Sequence, residues 1–121
     1  MNKDKVTLSV PAKPDYIIAA RLIVSAVAQR AQFILDDIED LKVASAEACT
    51  LLLAQNPETI EVSISKGESI HVCLTAIAPK GSQGEEDEVS ELSQYLLEAL
   101  VDRCELVHEG EILKSINIYK N

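Results

Sequence analysis

The sequence predicts an α+β protein, a two-layer sandwich in which three helices lie on one face of a mixed, mostly antiparallel sheet of five strands. Two periodicities indicate the elements. Five segments place an apolar residue at every second position, as strands do, and three segments repeat their apolar residues at helical spacing. Four of the strands meet in pairs across short turns, which favours antiparallel pairing. Because 121 residues suffice for one hydrophobic core, we expect a single domain over residues 1–121.

The first strand and the first helix are predicted at the start of the chain. Residues 6–10 alternate apolar and polar side chains and are followed by Pro11, which is typical of a half-buried strand that ends there. A helix should begin near Pro14 and Asp15, because Asp15 can cap free amides and proline is tolerated in the first turn. Over residues 17–28 this helix is apolar on nearly every side. Such a wide apolar surface needs two things to pack against.

A second helix and a hairpin are predicted next. The helix should begin at Asp36 or Asp37, since acids favour the positive end of a helix dipole, and run to about Gln55, before a proline. Residues 60–64 and 70–76 each place apolar side chains on one face, with a Lys-Gly-Glu turn between them. This pattern predicts an antiparallel hairpin.

The last third of the chain is predicted as a loop, a helix and a second hairpin. Residues 79–90 contain Pro, two Gly and the acid run 85–88, so we expect an exposed loop. The acid run could repel a nucleotide, attract a basic partner or simply keep the loop soluble. A third helix is predicted over residues 90–102 and a hairpin over 104–107 and 112–119. The helix is expected to bury Leu92, Leu96, Ala99 and Leu100.

Charge and cysteine content narrow the function classes. The formal net charge is −9, with 20 acids against 11 bases, which argues against a nucleic-acid partner and favours a cation-rich protein surface. Cys49, Cys73 and Cys104 are widely spaced and odd in number. They are therefore expected to be small buried hydrophobes in a reducing compartment, with metal or redox chemistry as the alternative. The N-terminus has no run long enough for a signal peptide or membrane span, so a cytoplasmic protein is expected.

The sequence shows no recognisable pattern of catalytic or metal-binding residues. His71 is expected on the polar side of a strand and His108 near the last turn, and neither neighbours a serine or cysteine in a triad pattern. No cluster of His, Cys or acidic residues has the spacing of metal ligands, so no metal site is predicted.

One long segment carries a family resemblance. Residues 10–50, VPAKPDYIIAARLIVSAVAQRAQFILDDIEDLKVASAEACT, resemble the anti-sigma factor serine kinases of bacteria, the RsbW and SpoIIAB type of the GHKL superfamily. Residues 94–107, QYLLEALVDRCELV, continue the resemblance in the right order. It implies the Bergerat or histidine-kinase-like ATPase fold, with an ATP site that has three local signatures.

The first signature of the family is a helix bearing Glu-Ala-x-Thr-Asn. The resemblance implies that its Glu acts as general base and that its Asn ligates the magnesium held by the phosphates. Here Glu47, Ala48 and Thr50 match, but Leu51 stands where the Asn should be. Residues four apart share a helix face, so both Glu47 and Leu51 would point into the pocket. Leucine offers no oxygen to magnesium. Glu47 is then a remnant of the base, or a carboxylate on the helix surface or pocket rim without any chemistry.

The second signature of the family is an Asp that binds the adenine amino group at the end of the middle hairpin. Counting along the apolar face of that strand puts Ala76 in its place, and no acid occurs between Glu68 and Glu85. The resemblance therefore implies that adenine would meet no carboxylate here.

The third signature is a Gly-Leu-Gly-Leu turn around the triphosphate. Its equivalents are Glu91, Leu92, Ser93 and Gln94, so both glycines are lost. Glu91 would stand beside the phosphates. At an effective dielectric constant of about 20, two like charges about 4 Å apart repel by roughly 4 kcal/mol. That would weaken binding about a thousandfold.

The favoured hypothesis is a regulator that binds a protein partner, with a degenerate nucleotide site and no cofactor. The resemblance implies a sigma factor or a STAS-type anti-anti-sigma protein as the partner, and contact through the first helix. Arg21 would make that contact, or it is a solvated side chain whose stem covers apolar surface. Ile17, Val24 and Ala28 would widen the apolar surface around it. The family also implies a homodimer near the first strand and helix.

Two alternatives stay open. The chain could be a divergent ATP- and magnesium-dependent serine kinase that phosphorylates a STAS-type protein, with Glu47 as base. It would then need a new magnesium ligand, for which Thr50 and Gln55 are the nearby candidates. It could instead be the inert half of a heterodimer with an active paralogue.

Overall fold

The helices and strands follow the order that the periodicities predict. A computed structural model describes residues 4–81 and 87–121. The elements are β1 (Asp4–Pro11), α1 (Ile17–Arg30), α2 (Leu35–Leu53), β2 (Thr59–Lys66), β3 (Ile70–Ile77), α3 (Asp87–Leu100), β4 (Arg103–Glu109) and β5 (Ile112–Lys120). A short 3-10 turn over Pro14–Tyr16 leads into α1. Proline suits this position because its fixed φ matches the start of a helix.

The fold class is confirmed as an α+β sandwich with three helices and a five-stranded sheet. The strand order is β1-β2-β3-β5-β4, and each neighbouring pair is antiparallel. The expected mixed character of the sheet is therefore not found among the strands described. The reason is that β3 and β4, which the crossover through α3 makes parallel, do not pair because β5 lies between them.

The core lies between the sheet and the helices. Alternate residues of β2, β3 and β5 face the helices and are buried, whereas the intervening residues of β2 and β3 are at least partly exposed on a face that we call the open face. The buried residues of these three strands are Ile60, Val62, Ile64, Ile70, Val72, Leu74, Ala76, Leu113, Ile116 and Ile118. Burial of each large aliphatic side chain contributes about 1.5–3 kcal/mol.

Helix α2 is the central helix of its layer. It packs against α1 and α3, and it also contacts β3 and β5. Helix α1 lies against β2, and α3 contacts β4. The two outer helices thus lie towards opposite ends of the sheet. Of the helices that the described ranges contain, none combines the length and apolar character needed to span a bilayer.

Backbone chemistry explains where α2 begins and ends. The helix starts at Leu35 with Asp36 and Asp37 in its first turn, as the dipole argument predicts. It ends at Leu53, two residues before the predicted end. Asn56 then adopts a left-handed φ of 55°, a conformation that asparagine tolerates better than most residues. Its N–H donates to the Leu53 carbonyl at 3.0 Å, which closes the last turn.

Two predictions for the third helix, its first residue and its buried side, differ from the structure. It begins at Asp87, earlier than the predicted Ser90, whereas residues 82–86 of the predicted loop, including part of the acid run 85–88, lie outside the described residues. Within residues 91–100 its buried side chains are Ser93 and Leu97, and Val101, directly after the helix, is also buried. Leu92, Leu96 and Ala99, which were expected in the core, are exposed, and Leu100 is half-buried. The prediction was wrong because two neighbouring stripes of this helix both have helical apolar spacing, and the period alone cannot choose between them.

Candidate functional site

The two residues of the first signature lie one turn apart on helix α2 and differ in burial. Glu47 is partly exposed on the side of α2 that faces α3. Leu51, one turn later, is buried and belongs to the core cluster. A leucine side chain suits this position because it contributes apolar contacts and has no polar atom to satisfy. Leu51 therefore serves packing in this fold.

The structure brings Glu47 and Ser93 together. The Ser93 hydroxyl donates a hydrogen bond to Oε1 of Glu47 at 2.8 Å, and the Ser93 side chain is almost completely buried. Both residues were selected from the sequence, but their contact was not foreseen. Residues 91–94 belong to the helix α3 and do not form an open turn, and Glu91 points to solvent. A buried hydroxyl needs a partner, and the carboxylate of Glu47 supplies it.

Ala76 makes a contact that the sequence did not predict. Its side chain is buried near the end of β3, and its carbonyl accepts a hydrogen bond from Nζ of Lys114 at 3.0 Å. Lys114 lies in β5 opposite the register shift between Val107 and His108 of β4. Sequence reasoning missed Lys114, although a lysine within the apolar strand ILKSINIYK was a visible signal. An ammonium near this carbonyl offers hydrogen-bond donors, whereas an adenine amino group would need an acceptor.

The end of α2 is joined to the segment after β3. The Gln55 carbonyl accepts hydrogen bonds from the N–H groups of Lys80 and Gly81 at 2.8 and 2.9 Å. The Asn56 side chain donates to the Gly81 carbonyl at 3.1 Å, and the Gln55 side chain accepts from the Leu113 N–H at 3.3 Å. These four bonds hold residues 80–81 and β5 against the helix end. They satisfy backbone groups of the segments that meet just after the end of α2.

Several of the oxygens around Glu47 that could ligate magnesium are engaged in hydrogen bonds within the chain. Magnesium requires an octahedral set of oxygens, and Glu47 is the carboxylate at this place. One of its oxygens already accepts the Ser93 hydroxyl. The hydroxyl of Thr50 donates to the Ala46 carbonyl at 3.0 Å on the exposed side of α2, and the side-chain oxygen of Gln55 is engaged by Leu113. Neither alternative ligand is directed at Glu47 by these contacts.

Only part of the partner surface that was predicted on α1 is exposed to solvent. Ile17 and Arg21 are half-buried. Val24 and Ala28 are fully buried, so the expectation that they widen an exposed surface is wrong. Residues 17, 21, 24 and 28 share one helical face, and its C-terminal part packs into the core. The exposed apolar residues of α1 are instead Ile18 and Leu22, at 60% and 61% relative exposure.

The prediction that the cysteines are buried is confirmed for Cys49 and is wrong for Cys73 and Cys104, which are only partly buried. All three are free thiols. Burial raises the pKa of the Cys49 thiol to about 12, because a thiolate would lose its hydration there. Burial also raises the pKa of Cys104, and the charges of Glu98 and Glu105 raise it further. Across the residues that the structure describes, no group of three or more His, Cys, Asp or Glu side chains has an arrangement that could hold a metal.

A stack of polar side chains lies on the open face of the sheet. His71 lies on the polar side of β3, as predicted, with Nε2 at 2.7 Å from Oδ1 of Asn117. Its ring stacks on Tyr119 with centroids 4.4 Å apart, and the Arg103 guanidinium lies 4.0 Å from the Tyr119 centroid. These contacts link β3, β5 and β4. They give the open face a rigid cluster far from the helical layer.

Comparison with known proteins identifies relatives of the whole chain. No family model matches. The serine-protein kinase RsbW of Bacillus velezensis is 31% identical over 139 aligned positions, which cover 98% of this chain and 87% of the relative. The serine-protein kinase RsbW of Bacillus subtilis is 30% identical over 141 positions, with 99% and 88% coverage. That of Listeria monocytogenes is 53% identical over 47 residues, 39% of this chain and 30% of the relative. The resemblance is thus confirmed, and the chain belongs to the family of the serine-protein kinase RsbW.

Proposed function

We propose that this chain is an anti-sigma-factor-type regulator that binds a protein partner, either a sigma factor or a STAS-type anti-anti-sigma protein. Family membership over nearly the whole chain supports this proposal. The net charge of −9 fits a partner with a cation-rich surface. We further propose a cytoplasmic homodimer, in keeping with the expectations from the sequence.

The relatives favour an active kinase over a regulator with a disabled site. Each of the three carries the name serine-protein kinase, and Glu47 keeps the acid of the family signature. The second candidate function is therefore phosphorylation of a STAS-type serine with ATP and magnesium. In this candidate Glu47 would accept the proton of the substrate hydroxyl.

A single observation supports partner binding without phosphoryl transfer. The hydrogen bond from Ser93 engages the one carboxylate that could act as base. A hydrogen bond to a charged group is worth about 1.5–3 kcal/mol, so it favours the orientation in which Glu47 is turned towards Ser93 and leaves the second carboxylate oxygen to any substrate. The burial of Leu51 in the core and the hydrogen bond from Lys114 to the Ala76 carbonyl also support partner binding without phosphoryl transfer. On this proposal Glu47 joins α2 to α3, and the nucleotide site is degenerate.

The proposed partner surface is the exposed side of α1. Arg21 and Ile17 remain accessible in part, and Ile18 and Leu22 extend the apolar area next to them. Val24 and Ala28 would support this surface from beneath. If the chain is instead the inert half of a heterodimer, the same surface would be available to a paralogue.

Titration calorimetry and phosphoryl transfer decide between the candidates. The purified chain is titrated with magnesium–ATP, and then incubated with γ-labelled ATP and a STAS-type protein from the same genome. The Bacillus subtilis relative serves as the positive control. We expect no nucleotide heat at millimolar ATP, no label transfer, and saturable binding of the STAS-type protein or of a sigma factor.

The variant Glu47→Gln distinguishes the kinase candidate from the proposed regulator. Micromolar ATP binding together with label transfer that Glu47→Gln abolishes would establish the kinase candidate. If neither class of partner binds while the Bacillus subtilis control does, the proposed regulator is wrong. Loss of partner binding on Leu22→Ser, with Leu35→Ser as the matched exposed control, would locate the contact on α1.

A further inference from the structure

Helix α3 carries two apolar stripes. The buried one, with Ser93, Leu97 and Val101, packs the helix onto the rest of the molecule. The other, which we call the α3 stripe, consists of Leu92, Tyr95, Leu96 and Ala99. These four residues are spaced i, i+3, i+4 and i+7, so they lie along one side of the helix over about 10 Å.

The α3 stripe is unusually exposed. Leu92 has 60% and Tyr95 has 75% relative exposure, and Leu96 is also exposed. Among the elements described, α3 contacts mainly α2 and β4. Contiguous exposed apolar residues indicate an interaction site, and tyrosine is enriched in protein interfaces.

Charges beside the stripe indicate the chemistry of its partner. Glu91 and Glu98 are exposed and lie seven residues apart, so they line the same flank of the stripe. Helix α3 contains no lysine or arginine, and Asp102 follows it. A partner that places lysine or arginine beside an apolar face would complement this surface. A second copy of α3 would instead bring Glu91 and Glu98 against like charges.

We propose that the α3 stripe is the docking surface for a basic amphipathic helix of a protein partner. The partner helix would lay its apolar side along Leu92, Tyr95 and Leu96 and direct its cations at Glu91 and Glu98. Because α2 separates α3 from α1, this surface is distinct from the α1 surface proposed above.

Binding of a defined helical peptide tests this proposal. The probe is a fluorescent 18-residue peptide of leucine and lysine with one apolar face, and its counterpart carries glutamate in place of lysine. Fluorescence anisotropy is measured for the unmodified chain, for Leu92→Ser/Tyr95→Ser, and for Glu91→Gln/Glu98→Gln. The matched control, Ile34→Ser/Leu35→Ser, removes similarly exposed apolar side chains at the start of α2, outside both proposed surfaces.

The expected pattern is specific. The basic peptide should bind, and Leu92→Ser/Tyr95→Ser should weaken it at least about tenfold, as for two interface anchors. Glu91→Gln/Glu98→Gln should also weaken it and reduce its salt dependence. The Ile34→Ser/Leu35→Ser control should stay within about twofold of the unmodified chain.

Three results of the peptide assay would overturn the inference. They are equal binding of the acidic peptide, an equal loss in the Ile34→Ser/Leu35→Ser control, or no saturable binding of the basic peptide. Sedimentation that shows dimers broken by Leu92→Ser/Tyr95→Ser would do the same, because a second copy would then be the occupant. None of these results bears on whether the α1 surface binds its own partner, so the two proposals fail separately.

Discussion

Burial controls the chemistry of Cys49. Its thiol lies in the core on α2, with 1% relative exposure, and its pKa is raised from 9.0 to about 12. In the unfolded chain the same thiol is hydrated and ionises near its ordinary value. Between these two pKa values the unfolded state loses a proton that the folded state keeps. The thiol therefore favours unfolding as pH rises above 9, and its contribution is fully favourable below that pH.

The stability of the protein should therefore fall in alkali through Cys49. We expect its contribution to the free energy of unfolding to decrease by about 1.4 kcal/mol per pH unit between pH 9 and 12. Urea unfolding of the unmodified chain and of Cys49→Ala measures this. Their difference at pH 7 gives the packing cost of the substitution, and the change in that difference from pH 8 to 11 isolates the thiol. A difference that stays constant over this range would show that Cys49 is hydrated in the folded state.

At the scale of elements, one hydrogen bond joins α2 to α3 at the candidate site. Ser93 is buried and Glu47 is partly exposed, so the serine has fewer alternative partners than the carboxylate. Helix α2 also contacts the sheet, whereas α3 depends largely on α2. The position of α3 is therefore sensitive to this contact.

Replacing the serine should loosen the contact between α2 and α3. Ser93→Ala removes the donor to Glu47, and we expect a loss of about 1–2 kcal/mol in the free energy of unfolding. Hydrogen exchange should rise in α3 more than in α1. The control Ser25→Ala removes a weaker exposed contact with Gln29 and should cost less than about 0.5 kcal/mol. Equal losses in the two variants would mean that the Ser93 hydroxyl adds nothing specific.

Most elements could be predicted from periodicity, but some of the buried faces could not. Strands β2 and β3 alternate cleanly, so their inward residues were predicted correctly. Helices α1 and α3 are apolar on more than one side, and their buried faces depend on tertiary packing. This is why Val24 and Ala28 were expected at the surface and Leu92 in the core.

At the scale of the whole molecule, Lys120 near the end of β5 interacts with residues of both α2 and α3. The Lys120 ammonium donates to the Leu100 carbonyl at 2.9 Å, at the C-terminal end of α3. It also lies 3.8 Å from Asp37 and 3.6 Å from Asp40, in the first turns of α2. Its side chain is only 13% exposed, so these interactions are less screened than those of a free surface lysine. One side chain thus links the sheet to two helices.

Removing this charge should destabilise the protein more than removing a surface charge. Lys120→Met keeps most of the side-chain volume but leaves the Leu100 carbonyl and two carboxylates without their cation. We expect a loss of about 1–2 kcal/mol by urea unfolding. The control Lys42→Met breaks an exposed i, i+3 pair with Glu39 and should cost about 0.5 kcal/mol or less. A larger effect in the control would contradict the role given to Lys120.

The candidate site could be predicted in its parts but not in its connections. Glu47, Leu51, Ala76 and Ser93 were selected by their sequence positions. Which of them meet depends on the rotation of α3 and on the insertion of β5 beside β3, and both are set by long-range packing. Lys114 reaches Ala76 only because β5 is the neighbour of β3.

The open face of the sheet offers a position for chemical labelling. Of the three thiols, Cys73 lies in β3 on the open face, whereas Cys49 is in the core and Cys104 pairs with the inward-facing Ile118. Both helical surfaces proposed for partners are on the opposite side of the molecule. A dye or a biotin attached at Cys73 would therefore leave α1 and α3 unobstructed. A protein captured through that thiol would present both helices to solution in a uniform orientation.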